Sequence, residues 1–249
     1  MTNSGCANVR LAGLERKNVR PHRHPGQVLT ELLDLVLPPR CAGCGGPEAC
    51  CPTCLAEFGR PTRVHLPGRP TYALADYQGA SRELVIAFKE RGRHDLATSL
   101  GTLLSHAIRA IPEARPDEDG TLWLVPAPSR RSASRRRGGP HVLRLARAAA
   151  RALATDTPVA VAPALILAPG TLDSTGLAAK ARRANLAGHV RPTDALPPPG
   201  TPVVLLDDVV TTGATVAECA RVLKSRGVHV AAVLALTSAA GHRWWSPPG

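Results

Sequence analysis

Aromatic residues are scarce in this chain, 3% of 249 residues with two Phe, two Tyr and three Trp. That excludes a core built on large rings, and it leaves no row of stacking platforms for single-stranded nucleic acid. The interior has to be made from Ala, Val and Leu. Long apolar runs are also missing: nothing approaches the ~18 consecutive apolar residues that span a bilayer. The amino-terminal stretch has neither the apolar segment nor the cleavage site of a secretory signal. A cytoplasmic protein without membrane insertion is expected. Internal repeats and heptads are absent as well.

Acidic residues are outnumbered, 19 against 31 Lys and Arg, for a formal net charge of +12. The surplus suits an anionic ligand, and nucleic acid or a highly phosphorylated metabolite would satisfy it equally well. With 44% hydrophobic and 20% charged residues the composition is that of a globular protein. The length allows one moderate domain and a small extra module.

The most informative stretch runs from Val203 to Thr215, VVLLDDVVTTGAT. Pro202 can open a strand, and Val203 to Leu206 form the unbroken apolar run of a strand buried on both faces of a parallel sheet. The strand is expected to end at Asp207. Val216, Cys219, Ala220 and Leu223 then recur at helical spacing, so Thr211 to Thr215 lie between a strand's carboxyl end and a helix amino terminus. Unpaired N–H groups and the helix dipole attract anions there, Gly213 permits close backbone approach, and Thr211, Thr212 and Thr215 add hydroxyl donors around Ala214. One phosphate fits such a cradle. Asp207 and Asp208 have the wrong sign for a phosphate and suit adjacent ribose hydroxyls or a metal, so the implied ligand is a sugar phosphate. No GxxxxGK[ST] is present, which excludes a Walker loop, and no GxGxxG follows this strand.

Four of the seven cysteines form two CxxC knuckles, Cys41 to Cys44 and Cys51 to Cys54. Each knuckle can offer two thiolates to one tetrahedral ion, and a reducing compartment favours metal over disulfide. Structural Zn2+ held by Cys41, Cys44, Cys51 and Cys54 is expected, with Cys50 a competitor for the place of Cys51. Four thiolates leave no open position, so this ion is not expected to be catalytic.

Residues 1–26 read as a disordered leader, 27–60 as a helix and the cysteine module, 71–238 as an α/β domain, and 239–249 as a tail. Pro61, Pro67 and Pro70 mark a linker. A strand over 71–77 and a helix over 81–91 are expected, the latter carrying Lys89 in an FKxxG pattern, followed by a helix over 96–111. A strand over 121–125 leads through VPAPS into an arginine run, Arg130, Arg131, Arg135, Arg136 and Arg137, closed by Gly138 and Gly139. A second anion, such as pyrophosphate, suits this loop after a second strand. In the following helix Arg144, Arg147 and Arg151 occupy the polar face and are expected to be solvated. Residues 159–167 are rich in β-formers. Residues 171–186, with Lys180, Arg182, Arg183 and Asn185, have the composition of a basic lid, and 228–237 is a last apolar strand.

The central stretch resembles the phosphoribosyl-pyrophosphate motif of type I phosphoribosyltransferases. A four-cysteine module, FKxxG, VPxP, an RGG loop, a basic RxxN and that motif, in this order, resemble the ComF family. The resemblance implies an α/β phosphoribosyltransferase-like parallel sheet flanked by helices and preceded by a zinc-ribbon module. It also implies association with DNA uptake during competence or use of external DNA, with DNA or DNA-uptake proteins as partners. By resemblance Asp207 and Asp208 hold the ribose hydroxyls, Thr211 to Thr215 the 5′-phosphate and the loop from Val125 to Gly139 the pyrophosphate; Arg137 and Lys89 are further candidates for binding phosphoribosyl pyrophosphate, Lys89 having a solvated helix lysine as its alternative, Arg182 and Asn185 form the lid, and Mg2+ accompanies phosphoribosyl pyrophosphate. The chain departs from the pattern where the family has RGxNQ and this sequence has Arg137, Gly138, Gly139, Pro140 and His141. It departs again near Ser174 and Thr175, where the family commonly has Gln. A non-catalytic protein that binds phosphoribosyl pyrophosphate or partners a DNA-processing system is the alternative.

Overall fold

The computed structural model describes residues 10–11, 40–129, 139–168 and 188–240. The rest of the leader, the expected helix near residue 30, the arginine run with Arg137, the expected lid with Arg182 and Asn185, and the tail beyond 240 lie outside the described residues. In chain order the described elements are β1 (Arg10–Leu11), the short helix α1 (Pro52–Leu55), β2 (Thr62–Arg63), β3 (Thr71–Asp76), α2 (Gly79–Glu90), a 3-10 turn His94–Leu96, α3 (Ala97–Ala110), β4 (Leu122–Pro126), α4 (His141–Leu153), β5 (Val159–Val161), β6 (Leu165–Leu167), β7 (Val190–Pro192), β8 (Pro202–Val210), α5 (Ala214–Lys224) and β9 (His229–Ser238).

Seven strands form one sheet in the order β1-β5-β4-β8-β9-β3-β2. Every pairing in it is parallel except β2 against β3. The α/β class read from the sequence is the class found. β8 is the sheet's middle strand and is buried without a break from Val203 to Asp208. Such a strand has to be apolar on both sides, because helices or hairpins cover each face.

Those faces carry separate cores. On one, Val204, Leu206, Leu124 and Leu234 pack with Leu84 and Phe88 of α2, Leu100 and Leu104 of α3, and Leu145 of α4. On the other, Val203, Leu205 and Val233 pack with Cys219 and Leu223 of α5 and with Leu165 and Val190 of the β6–β7 hairpin. Burying each large aliphatic side chain contributes roughly 2 kcal/mol, which is how an interior poor in rings is stabilised. α3 and α4 approach closely at Gly101, where an added Cβ would lie 2.4 Å from the Ala148 Cβ and 2.9 Å from the Ala148 backbone.

Several expected boundaries move. β8 continues past Asp207 to Val210, because Val209 and Val210 pair with Thr237 and Ser238 of β9; both acids therefore sit inside a strand. The proline-marked stretch 61–70 is more than a linker, since Thr62 and Arg63 pair with Ala73 and Tyr72. The β-rich run over 159–167 is two strands in two sheets, broken around Pro163. Within the leader, residues 10–11 pair in parallel with β5 at the sheet edge, although nothing in their sequence marks a strand. Arg144 and Arg147 are half-buried, and only Arg151 of the three is exposed.

The cysteine module joins the first core directly. Cys41, Cys54 and Phe58 are buried in the same cluster as Leu84 and Phe88. Glu57 Oε2 accepts the Ser81 N–H at 2.9 Å and so caps the first turn of α2. Beyond the helix, Arg93 donates to the carbonyls of Arg40 at 2.9 Å and Ala49 at 3.0 Å, with its own charge paired to Asp95. Both ends of α2 are thus tied to the knuckles.

Candidate functional site

β8 delivers its two adjacent carboxylates to different surroundings. Asp208 lies under α2 and α4. Its Oδ2 receives Lys89 Nζ at 2.8 Å and His141 Nε2 at 2.8 Å, and its Oδ1 accepts the Val209 N–H at 2.8 Å. Lys89 belongs to the last turn of α2 and lays its stem along the core to reach the acid, with 32% of its side chain exposed. His141 is the first residue of α4 and is buried at 5% exposure, its ring edge-on to Phe88 with centroids 6.3 Å apart. Burial alone would push the Asp208 carboxyl up; the Lys89 charge and the hydrogen bonds from His141 and Lys89 win and hold it below the usual carboxylate range. An ionised Asp208 accepts only, so His141 Nε2 carries the proton between them. Burial likewise disfavours the Lys89 charge, and Asp208 overcomes it, keeping the ammonium above its ordinary value.

Asp207 turns toward α5. It is buried, its Oδ1 accepts the Asp208 N–H at 2.9 Å, and among the described hydrogen bonds no side chain donates to it. Burial, reinforced by the Asp208 charge beside it, pushes its carboxyl well above the usual range. The thiol of Cys219 is also raised, first by burial and then by Asp207.

The loop after β8 is open in the way the sequence suggests. Gly213, at φ +72°, precedes α5 in the left-handed conformation, and no side chain caps the helix. The first-turn N–H groups therefore lack a side-chain acceptor, and the turn contains no acid to repel an anion. Thr212 Oγ1 is buried without a hydrogen-bond partner, which is costly unless a ligand supplies one. Against Gly213 stands Leu66, 3.1 Å from where a Cβ would be. Leu66 also lines a cavity of about 1210 Å³, together with Arg60, Arg63, His65, Arg69 and Ala73.

The sequence therefore leads to Asp207, Asp208, the Thr211 to Thr215 loop and Lys89, and the fold gathers Lys89 onto Asp208. Arg137, Arg182 and Asn185 lie outside the described residues. What sequence reasoning missed is His141, met there only as a departure from a family pattern, and Ser129, whose Oγ is 3.4 Å from His141 Nδ1. The available signal was position: one closes the arginine loop, the other opens it.

At the cysteine module, the sulfurs of Cys41, Cys44, Cys51 and Cys54 all lie within 4.8 Å of one another, and those of Cys44 and Cys51 are 3.6 Å apart. A tetrahedral zinc with Zn–S bonds of about 2.3 Å sets its sulfurs roughly 3.8 Å apart, so the four fit that ion. Cys50 is not in the group. Backbone N–H groups of Cys51 and Cys54 point at the sulfurs of Cys41 and Cys51, both at 3.4 Å. Burial raises the Cys41 thiol, but the N–H groups of Cys51, Cys44 and Gly43 outweigh it and bring it to about 6, favouring the thiolate a metal requires. Burial together with neighbouring thiols raises Cys54, and Cys50 to about 11.

No protein-family model and no curated protein matches the chain. Among solved structures it is similar to a hypoxanthine phosphoribosyltransferase from Staphylococcus aureus, at 16% identity and TM-score 0.30, over 60% of this chain and 63% of that one. It is also similar to the hypoxanthine phosphoribosyl transferase of Trypanosoma cruzi, at 16% identity and TM-score 0.34, over 65% of this chain and 71% of that one. The chain thus spans less than two thirds of the first of these. Scores this low carry no argument about activity. The class is defined by the chain's own features: a mostly parallel α/β sheet flanked by helices, a four-cysteine module packed against it, and an acid pair before a Thr-rich loop. No described helix is long and apolar enough to cross a membrane.

Proposed function

We propose that this chain binds phosphoribosyl pyrophosphate and acts as a phosphoribosyltransferase on an acceptor held in the neighbouring cavity. The observation that carries the reading is the sequel to the buried acids: an uncapped helix start, a left-handed Gly213 and a buried Thr212 hydroxyl that lacks a partner. The 5′-phosphate occupies that cradle and supplies the missing acceptor for Thr212. Asp207, unclaimed by a described side chain, accepts the ribose hydroxyls; Asp208 acts through what it holds, fixing Lys89 and His141 at the side where pyrophosphate sits, with Arg137 contributing from the loop. Mg2+ arrives on the pyrophosphate as part of the substrate and neutralises charge that builds as the leaving group departs. The bond from C1 of the ribose to the pyrophosphate oxygen breaks, and a nitrogen nucleophile forms the new bond to C1. The protein's share is alignment and charge stabilisation. Zn2+ on Cys41, Cys44, Cys51 and Cys54 is structural.

Calorimetry with phosphoribosyl pyrophosphate and Mg2+ tests this. Binding that Asp207→Asn abolishes is expected; no binding, or binding that Asp207→Asn leaves unchanged, overturns it. One observation favours the non-catalytic alternative: Asp208 Oδ2 is already shared by Lys89 and His141. Pyrophosphate release in the presence of acceptors separates the two. The link to DNA uptake that the resemblance implies is part of the proposal, with DNA as partner. It predicts duplex binding with a steep salt dependence that weakens when Arg135, Arg136 and Arg137 become Ala.

A further inference from the structure

Ser129, His141 and Asp208 form a chain of polar contacts from the mouth of the arginine loop to the buried acid: Oγ to Nδ1 at 3.4 Å, then Nε2 to Oδ2 at 2.8 Å. The two outer members come from the carboxyl ends of adjacent parallel strands. Pro126 pairs with Leu206, and Ala127 N–H donates to the Leu206 carbonyl at 2.8 Å, so the segment from Pro128 to Ser129 runs alongside Asp208. The middle member is the residue at which this chain departs from the glutamine of the pattern it resembles. A glutamine amide can make the same two contacts, but it cannot pass a proton from one to the other.

The groups that face His141 decide what that difference does. From β8 comes Asp208; from α2 come Lys89, on the same carboxylate oxygen, and the ring of Phe88; from the end of β4 comes Ser129; on its own helix the nearest charge is Arg144. Lys89 and a doubly protonated His141 would place two cations on a single buried anion. An incoming polyanion beside Ser129 provides the counter-charge for the second cation, and the full set is then balanced.

Building on the reading above, we propose that Ser129, His141 and Asp208 are a proton relay for the departing pyrophosphate, in which His141 takes up a proton as the anion binds and returns it through Ser129. The balance is as follows. When the C1–O bond breaks, its electron pair stays on the pyrophosphate oxygen. That oxygen takes the Ser129 hydroxyl proton, Ser129 Oγ takes the Nδ1 proton of His141, and the neutral ring keeps its Nε2 proton on Asp208. After pyrophosphate leaves, His141 stays neutral, and solvent restores the Nδ1 proton when the next anion binds. In this scheme Ser129 touches the leaving group, and His141 and Asp208 are positioning residues that act through it.

The test is calorimetry of Mg2+–pyrophosphate binding near pH 7 in two buffers of different ionisation enthalpy, which counts protons taken up per anion bound. Wild type is expected to take up protons. His141→Gln, which can still bridge Ser129 and Asp208, is expected to lose that uptake and to bind pyrophosphate on the order of tenfold more weakly, the effect of one charge-assisted hydrogen bond. Ser129→Ala, a change at a half-buried position, is expected to reduce uptake with His141 still in place. Equal uptake in wild type and His141→Gln overturns the relay, as does a wild type that binds pyrophosphate without taking up protons. Uptake that Ser129→Ala leaves untouched overturns the role of Ser129. Phosphoribosyl pyrophosphate titrated in parallel keeps the readings apart. If it binds while the proton count is flat, only the relay fails; if neither anion binds wild type, the ligand reading fails and takes the relay with it.

Discussion

Asp207 and Asp208 are neighbours in sequence, equally buried, and placed by the sheet in opposite situations. Asp208 belongs to the face covered by α2 and α4, where the Lys89 charge and the hydrogen bond from His141 hold it ionised and the cysteine module braces the helix that supplies Lys89. Asp207 belongs to the face covered by α5, where no described side chain donates to it and burial drives its carboxyl toward the neutral form. On the first face the acid has partners of its own and helps hold the fold together. The other keeps the Thr212 hydroxyl without a described partner, beside an acid to which no described side chain donates. Polar groups buried without partners reduce stability, and a site that waits for its ligand accepts that cost.

The comparison can be broken first at the zinc. If the cysteine module stood apart from the sheet, Cys44→Ser would cost metal and local order and leave ligand binding at Asp207 and Asp208 measurable. With Cys41, Cys54 and Phe58 in the same core as α2, the loss should spread. Metal removal is expected to destabilise by several kcal/mol, as ligand loss does in structural zinc modules, and hydrogen exchange should rise over residues 41–58 and along α2 before it rises in α5. Zinc analysis and exchange by mass spectrometry check this; equal loss of protection on the two faces would count against it.

Next in size is the pair of single acids. Asp208→Asn leaves a buried His141 and a partly exposed Lys89 around a neutral amide and is expected to cost about 3 kcal/mol in denaturant unfolding, the low end for a broken buried pair. Because the Asp208 carboxyl is held below its unfolded value, its contribution is present at neutral pH and is lost as pH falls below the ordinary carboxylate range through the folded value. Wild type should therefore lose stability in acid more steeply than Asp208→Asn does. Asp207 runs the other way. Its folded value is raised, so its contribution is present below the unfolded carboxylate value and is lost as pH rises through the folded one. Asp207→Asn is accordingly expected to raise Tm at neutral pH by roughly 2–4 °C, equivalent to ~1 kcal/mol, while abolishing ligand binding. A variant pair with the same sign of Tm change would remove the distinction between the faces.

The smaller effect sharpens the same contrast at the helix contact. Gly101→Ala improves helix propensity by up to about 1 kcal/mol, but the new methyl meets the Ala148 backbone at 2.9 Å. Overpacking should win, for a net loss of about 1–2 kcal/mol, with ligand affinity at the α5 cradle unchanged. A rise in Tm would show that α3 and α4 can separate at little cost.

Much of this was legible before the fold. The acids, the Thr-rich loop and the two knuckles were found because their chemistry is local: adjacent residue types in a short window state what they can bind. Boundaries failed where pairing decided them, as at Val209 and Val210, which β9 claims for the strand. Lys89 could not be told from a solvated lysine by its sequence, since a single cation on a helix says nothing about which acid lies opposite. His141 and Ser129 were further out of reach, being 12 residues apart in sequence and meeting an acid 67 residues beyond His141.

By itself the sequence determined the class, a helix-covered α/β sheet with a four-cysteine appendage, because periodicity and cysteine spacing act over a few residues. It also marked the acids and the Thr-rich loop as the candidate anion site. Only the tertiary structure decided that two adjacent carboxylates have different roles, since alternation along a strand sends neighbours to opposite faces and each face is completed by helices from distant parts of the chain. It likewise decided that the cysteine module shares a core with the site. Burial and charge compensation depend on what packs opposite, and that is set by the fold as a whole.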